Sequence, residues 1–157
     1  ITAYMKSRYD LLVGEQTAER IKITIGSVAP FKVFGEAETT MEVKGRSTIT
    51  ELPARVQILS SEIRECLRPV GDKIVESIKD VLRATPPELS ADLVDRGLRL
   101  AGGGAYLRGL AWLIENEVGI PVSVAEDPLY AVARGATSVM QAFDELGEVL
   151  QSGFDVE

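Results

Sequence analysis

Three consecutive glycines, Gly102 to Gly104, form the most promising binding motif of this sequence. The apolar run before them, residues 98–101, predicts a strand, and residues 105–118 after them predict a helix. Without Cβ atoms the backbone can approach a flat or anionic ligand, and the first N–H groups of the following helix would face it. The spacing does not match G-x-G-x-x-G, because Leu107 stands where the last glycine would be, and there is no P-loop motif. From these residues alone, a nucleotide site and a tight strand-to-helix connection are equally good interpretations.

A second candidate is the charged pair Glu19 and Lys22. If residues 15–25 form a helix, the two side chains share one face, although the alternating isoleucines of this segment also fit a strand. A carboxylate could accept hydrogen bonds from both hydroxyls of a ribose, and the lysine stem could cover the face of a purine. The alternative is a solvated ion pair that contributes only about 0.2–1 kcal/mol to the stability of the fold.

The composition narrows the chemistry that the chain can perform. It has 157 residues and no histidine, which excludes a Ser-His-Asp triad, a Cys-His pair and an imidazole pH switch. With 17 Lys and Arg against 24 Asp and Glu, the net charge is −7, so nucleic acid is not an expected partner. Cys66, the single cysteine, cannot form an internal disulfide, and no apolar run approaches the roughly 18 residues of a membrane span. These observations predict a globular protein of the cytoplasm.

The elements of the first half are predicted from periodicity. Residues 1–13 are expected to form a helix, and residues 31–60 a small antiparallel sheet, because apolar and polar residues alternate around positions 41–44 and 55–58. A long helix follows, capped by Ser60 or Ser61 and carrying one continuous apolar face. Pro69 lies inside it and predicts a kink or a break near Leu67.

After the break at Thr85-Pro86-Pro87, helices and strands alternate. Helices are expected at 88–96, 105–118 and 129–146, and strands at 98–101 and 121–125. Asp127 is expected to cap the last helix, with Pro128 at its first position. This order is typical of a parallel sheet covered by helices, and residues 148–157 are expected to form an acidic tail.

Several segments together resemble one family. They are GEQTAERIK (14–22), TPPEL (85–89), LAGGGAYLRGL (100–110) and VAEDP (124–128) followed by ARG (133–135). In this order and spacing the chain resembles MreB, the family of bacterial actin homologues that organise cell-wall synthesis in rod-shaped cells. The resemblance covers the whole chain except residues 31–40, which are similar to a variable loop.

The resemblance implies an α/β fold, that of an actin-like ATPase lobe of the ribonuclease H-like type, in which two lobes close on a nucleotide. The chain resembles the C-terminal lobe. Residues 1–84 would form the smaller α+β subdomain at the tip, and residues 85–147 the basal α/β subdomain, with the first helices packing against either.

The resemblance also assigns site residues. Glu19 and Lys22 would contact ribose and adenine, and Gly102, Gly103 and Gly104 would contact the adenosine from the other side. The cofactor would be ATP or ADP with Mg²⁺. The family's phosphate-binding Asp-x-Gly hairpins are absent here, since Asp95-Arg96-Gly97 precedes the adenosine strand instead. No catalytic or metal-binding residue is therefore expected, and the chain alone is predicted not to hydrolyse ATP.

The expected partners follow from the same family. They are further copies of the protein in a filament, the N-terminal lobe, and the membrane and cell-wall machinery through the full-length protein. Residues 31–60 would supply part of the filament contact, and apolar Phe31, Val33 and Phe34 belong either to that contact or to a solvated variable loop. A plasmid-segregation or magnetosome filament stays open as an alternative, whereas a sugar or acetate kinase and a chaperone nucleotide-binding domain fit the motifs and the short C-terminal segment less well.

Overall fold

The computed structural model describes residues 1–142. The helices are α1 (Thr2–Tyr9), α2 (Glu15–Ile25), α3 (Ser60–Ala84), α4 (Pro87–Arg96), α5 (Leu110–Val118) and α6 (Ala131–Gln141). The strands are β1 (Leu11–Leu12), β2 (Thr40–Ser47), β3 (Pro53–Leu59), β4 (Leu98–Leu100) and β5 (Val122–Val124), and short 3₁₀ helices span Phe31–Phe34 and Gly103–Tyr106. The predicted end of the last helix, at 146, and the acidic tail lie outside the described residues.

The first sheet has the order β1-β2-β3 and is antiparallel throughout. Val43 of β2 and Ile58 of β3 are fully buried, and their exposed neighbours alternate with them, as the sequence pattern predicted. The third strand, β1, was not predicted. Asp10 has a φ of 50°, which ends α1 and redirects Leu11 into the sheet, so the prediction of a helix over residues 1–13 is wrong beyond Tyr9.

The prediction of β structure from residue 31 is also wrong at its start. Phe31–Phe34 form a 3₁₀ helix, and β2 begins only at Thr40. The guanidinium carbon of Arg64 lies 4.9 Å from the centre of the Phe31 ring, a cation–π contact that holds this turn on α3.

Helix α3 places Ile63, Leu67, Gly71 and Val75 on one buried face. It continues through Pro69 without a break. Neither Ser60 nor Ser61 caps it through a side-chain hydrogen bond. The Ser60 hydroxyl instead accepts the Thr39 N–H at 2.9 Å, which ties the helix start to the chain before β2.

The second sheet is the predicted parallel pair, in which Leu98 of β4 pairs with Val122 of β5. The helix between these strands begins at Leu110 and not at residue 105, because Gly109 has a φ of 82°. Likewise α6 begins at Ala131, after a turn in which the Tyr130 N–H donates to the Asp127 carbonyl. The predicted cap by Asp127 and Pro128 is therefore wrong.

One hydrophobic core joins both sheets. An ideal Cβ on Gly71 of α3 would lie 2.8 Å from Leu113 Cδ2 of α5, so the missing side chain allows these helices to pack closely. The core continues from Met5 of α1 through Ile63 to Ile114 of α5. No helix within residues 1–142 is both long and apolar enough to cross a membrane.

Candidate functional site

Glu19 and Lys22 lie on one face of α2, which decides the ambiguity of this segment in favour of a helix. The Lys22 Nζ atom is 2.7 Å from Glu19 Oε2, and the side chains are 40% and 56% exposed respectively. Both line an open cavity of about 270 Å³ together with Ile1, Thr2 and Leu67, among others. The cavity thus offers one ligand a carboxylate, an ammonium group and an apolar surface.

Two of the helices that wall this cavity, α1 and α3, are joined by Glu62 of α3. Its carboxylate accepts hydrogen bonds from the Tyr9 hydroxyl at 2.6 and 2.7 Å and from the Leu59 N–H at 2.8 Å, and Tyr4 lies at 3.4 Å. Burial alone would raise the pKa of Glu62, but the hydrogen bonds outweigh it and the pKa is lowered. Burial, followed by the bond to Glu62, raises the pKa of Tyr9 to about 12. The sequence offered no signal for the tyrosine contacts of this cluster, because Tyr4 and Tyr9 lie more than 50 residues from Glu62.

The glycine turn lies between β4 and α5, where the motif predicted it. Gly102 has a φ of 80°, and its N–H donates to the Pro128 carbonyl at 2.7 Å, so this residue shapes the turn. Gly103 and Gly104 begin the 3₁₀ helix and are exposed, and their N–H groups have no acceptor among residues 1–142. Within the described part of the chain, these two donors are therefore open to a ligand.

The space above the glycines differs from one position to the next. An ideal Cβ on Gly104 would meet no atom within 4 Å, whereas one on Gly103 would lie 3.2 Å from Leu129 Cδ2. Gly104 does not have a positive φ. Within the described residues, neither packing nor backbone conformation therefore requires glycine at this position. This open position suits the close approach of a ligand.

The glycines are not among the residues that line the cavity beside Glu19 and Lys22, so that cavity holds only one of the two predicted halves of the site. They are connected through residues 26–29, which follow α2 and hydrogen bond to Arg108. Ser27, fully buried in this connection, was not singled out by the sequence.

A larger open cavity, of about 510 Å³, lies along α6. Arg134 is placed there between Glu126 and Asp127, at 3.6 and 3.7 Å. Within residues 1–142, no group of three or more His, Cys, Asp or Glu side chains is arranged to hold a metal ion.

Comparison with known proteins relates the chain to cell-shape proteins. It is 43% identical over 146 residues to the cell shape-determining protein Mbl of Bacillus cereus, and 43% identical over 147 residues to the cell shape-determining protein MreB of Escherichia coli K12. These alignments cover 93% and 94% of this chain, but 43% and 41% of the relatives. The chain therefore spans less than half the length of the relatives that it matches.

Solved structures show the same relationship. MreB5 of Spiroplasma citri, determined with ADP and with AMPPNP, superposes with a TM-score of 0.86 at 31% identity, over 94% of this chain and 44% or 43% of MreB5. The MamK double helical filament superposes with a TM-score of 0.69 at 22% identity, over 88% of this chain and 41% of MamK, and so shares the fold. The architecture is that of an actin-like ATPase fold. A family model described as MreB/Mbl protein matches residues 1–148, and the chain belongs to this MreB/Mbl family of bacterial actin-like proteins.

Proposed function

We propose that this chain is the C-terminal lobe of an ATP-binding, filament-forming bacterial actin homologue that organises cell-wall synthesis and cell shape. Its part in that function is to hold the nucleoside of ATP or ADP. The observation that carries the proposal is the Glu19–Lys22 pair lining a cavity on α2, in a fold shared with MreB5, which was solved with ADP and AMPPNP.

The proposed contacts follow from the chemistry of each residue. Glu19 accepts hydrogen bonds from the ribose hydroxyls, and the aliphatic stem of Lys22 covers the purine while its ammonium stays in water. Gly103 and Gly104 donate backbone N–H groups, and Gly104 leaves room for the nucleoside to approach. Gly102 holds the turn in its positive φ. The proposed division into a tip subdomain (1–84), a basal subdomain (85–147) and a tail (148–157) places the two halves of this site in different subdomains.

The proposal is tested by titrating ADP into the 157-residue chain and following heat or fluorescence. Glu19→Gln is expected to weaken binding at least about tenfold, since a hydrogen bond to a charged group contributes roughly 1.5–3 kcal/mol. Glu76→Gln is the matched control, because Glu76 is also an exposed helical glutamate in an ion pair, with Arg83. If both variants bind ADP like the unchanged chain, Glu19 does not contact the ribose.

The glycine turn is tested separately. Gly104→Ala adds a methyl group into space that is empty within residues 1–142, so the fold should be retained while the ligand is excluded. Gly135→Ala of α6, where a Cβ also meets nothing within 4 Å, is the control for the substitution itself. Unchanged ADP affinity in Gly104→Ala would remove the turn from the proposed site.

The chain by itself is proposed to bind but not to hydrolyse ATP, because phosphoryl transfer needs groups that position the phosphates and neutralise their charge. Phosphate release from ATP should stay at the buffer rate at any concentration of the 157-residue chain. Release that rises with the chain and is lost in Gly104→Ala would contradict this.

The remaining partners belong to the proposed full-length protein. They are its N-terminal lobe, which would supply most of the Mg²⁺ and phosphate contacts, further copies in the filament, and the membrane and cell-wall machinery. The full-length filament is proposed to lie in the cytoplasm, associated with the membrane, and to bind no nucleic acid.

A further inference from the structure

The connection between α2 and the first 3₁₀ helix, residues 26–29, is completely enclosed by the protein. All four residues are buried, and Ser27, Val28 and Ala29 have no exposed surface at all. A segment of this kind usually runs over the surface, because its backbone polar groups need partners. Its burial therefore requires specific hydrogen bonds.

Those hydrogen bonds lead to the segment that follows the glycine turn. The Val28 N–H donates to the Arg108 carbonyl at 3.0 Å. The Ser27 hydroxyl lies 2.9 Å from the Ala29 carbonyl and 3.2 Å from the Arg108 carbonyl, and it accepts the Ala29 N–H at 3.2 Å. Gly109 packs directly on Ala29, since an ideal Cβ would lie 2.5 Å from the Ala29 Cβ.

The path continues in both directions. On one side the Gly26 N–H donates to the Lys22 carbonyl at 3.0 Å, and an ideal Cβ on Gly26 would lie only 2.3 Å from that oxygen. On the other side the Leu107 N–H donates to the Gly104 carbonyl at 3.0 Å. A short series of backbone contacts thus joins Lys22 to Gly104. The Lys22 side chain and the glycine turn are exposed at opposite ends of this series.

We propose that Ser27 is a positioning residue for the nucleoside site. It touches no ligand, but its hydroxyl holds the end of α2 against Arg108 and so sets the position of Glu19 and Lys22 relative to the glycine turn. This inference rests on the proposed function, because it presumes that one nucleoside contacts both segments. Its geometric part can be tested without any nucleotide.

The ligand-free test uses backbone amide signals in NMR spectra of the 157-residue chain. Ser27→Ala should shift the signals of both Lys22 and Gly104, because the side-chain bond to Arg108 is lost and the Val28 N–H alone holds the two segments together. Ser60→Ala is the matched control, since Ser60 is the other fully buried serine among the described residues and also binds backbone, at Thr39. If Ser27→Ala moves these two signals no more than Ser60→Ala does, the inference is overturned.

The second test measures ADP affinity in the same variants. Ser27→Ala should weaken binding about tenfold, the effect of about 1.4 kcal/mol, whereas Ser60→Ala should leave it unchanged even if both lower the melting temperature equally. Ser27→Cys keeps the shape of the side chain with a slightly larger atom that is a weaker donor, so it should bind with intermediate affinity. Equal affinities in the three variants would overturn the inference.

The two tests separate this inference from the proposed function. If the unchanged chain does not bind ADP, the proposed nucleoside site is wrong, and with it the role of Ser27 toward a ligand. If the chain binds ADP and Glu19→Gln weakens it, but Ser27→Ala does not, only the positioning role fails.

Discussion

At the scale of single residues, Glu62 joins three segments through one carboxylate. It binds the hydroxyl of Tyr9 on α1, the N–H of Leu59 at the end of β3, and, more weakly, Tyr4. A carboxylate that accepts several hydrogen bonds is favoured in its charged form, even where burial opposes the charge. The lowered pKa of Glu62 therefore means that its charged form stabilises the folded chain.

The pH dependence of unfolding should show this contribution. Because the pKa of Glu62 is lower in the folded chain than its ordinary value of 4.5, the stabilisation is present above pH 4.5 and is lost as the pH falls through the folded pKa. Glu62→Gln is expected to lower the free energy of unfolding by about 1–3 kcal/mol at pH 7, with a smaller difference at pH 3. Urea titrations at both pH values measure it.

The matched control for this prediction is Glu65→Gln. Glu65 lies three residues along α3, is exposed, and takes no part in the Tyr9 cluster. Its substitution should change stability by less than about 0.5 kcal/mol. A Glu62→Gln difference that does not depend on pH would show that the carboxylate charge contributes nothing.

Residue contacts could be predicted from the sequence only where they are local. Glu19 and Lys22 are three positions apart, so helical geometry alone brings them together, as predicted. Ser27 and Arg108 are 81 positions apart, and their contact depends on how α2 and α5 each pack against α3. No pattern of neighbouring residue types carries that information.

At the scale of elements, Gly109 controls where α5 begins and how it meets the α2 connection. Its φ of 82° is strained for any other residue, and an ideal Cβ would lie 2.8 Å from the Ala29 backbone nitrogen. Gly109→Ala is therefore expected to lower the free energy of unfolding by about 1–3 kcal/mol, measured by urea denaturation.

Two further glycines calibrate that prediction. In Gly71→Ala the new methyl group meets the end of the Leu113 side chain and no backbone atom, and Gly71 has no positive φ, so a smaller loss is expected. In Gly135→Ala, within α6, nothing lies nearby and alanine favours the helix by about 0.5–1 kcal/mol. If Gly109→Ala lost less stability than Gly71→Ala, the close contact with Ala29 would not restrict position 109 to glycine.

Elements with strong periodicity were predicted well, and their boundaries less so. The apolar face of α3 recurs at helical spacing from Ile63 to Val75, on both sides of Pro69, and the helix continues through the proline. The ends of α1 and the starts of α5 and α6 depend on positive φ values at Asp10, Gly109 and Asp127. Two of these residues are aspartates, so their backbone conformation was not evident from residue type.

At the scale of the whole molecule, the turn between β2 and β3, residues 48–52, presents an apolar tip. Ile49 is 75% exposed and Leu52 is 64% exposed. The turn is held firmly, because the Thr48 N–H donates to the Asp10 carbonyl at 2.7 Å and the Ser47 N–H to Leu52. The exposed apolar surface of the predicted contact region thus includes this tip as well as Val33 and Phe34, whereas Phe31 is covered by Arg64.

This tip suits one half of the proposed filament contact, since head-to-tail assembly joins two different surfaces of successive copies. Ile49→Asp combined with Leu52→Asp is expected to reduce the amount of full-length protein that pellets with ATP, because each charge would have to be desolvated in the contact. Val81→Asp is the control, as Val81 of α3 is 67% exposed but lies outside the turn. Pelleting that is unchanged in the tip variant, or reduced equally in the control, would place the filament contact elsewhere on the molecule.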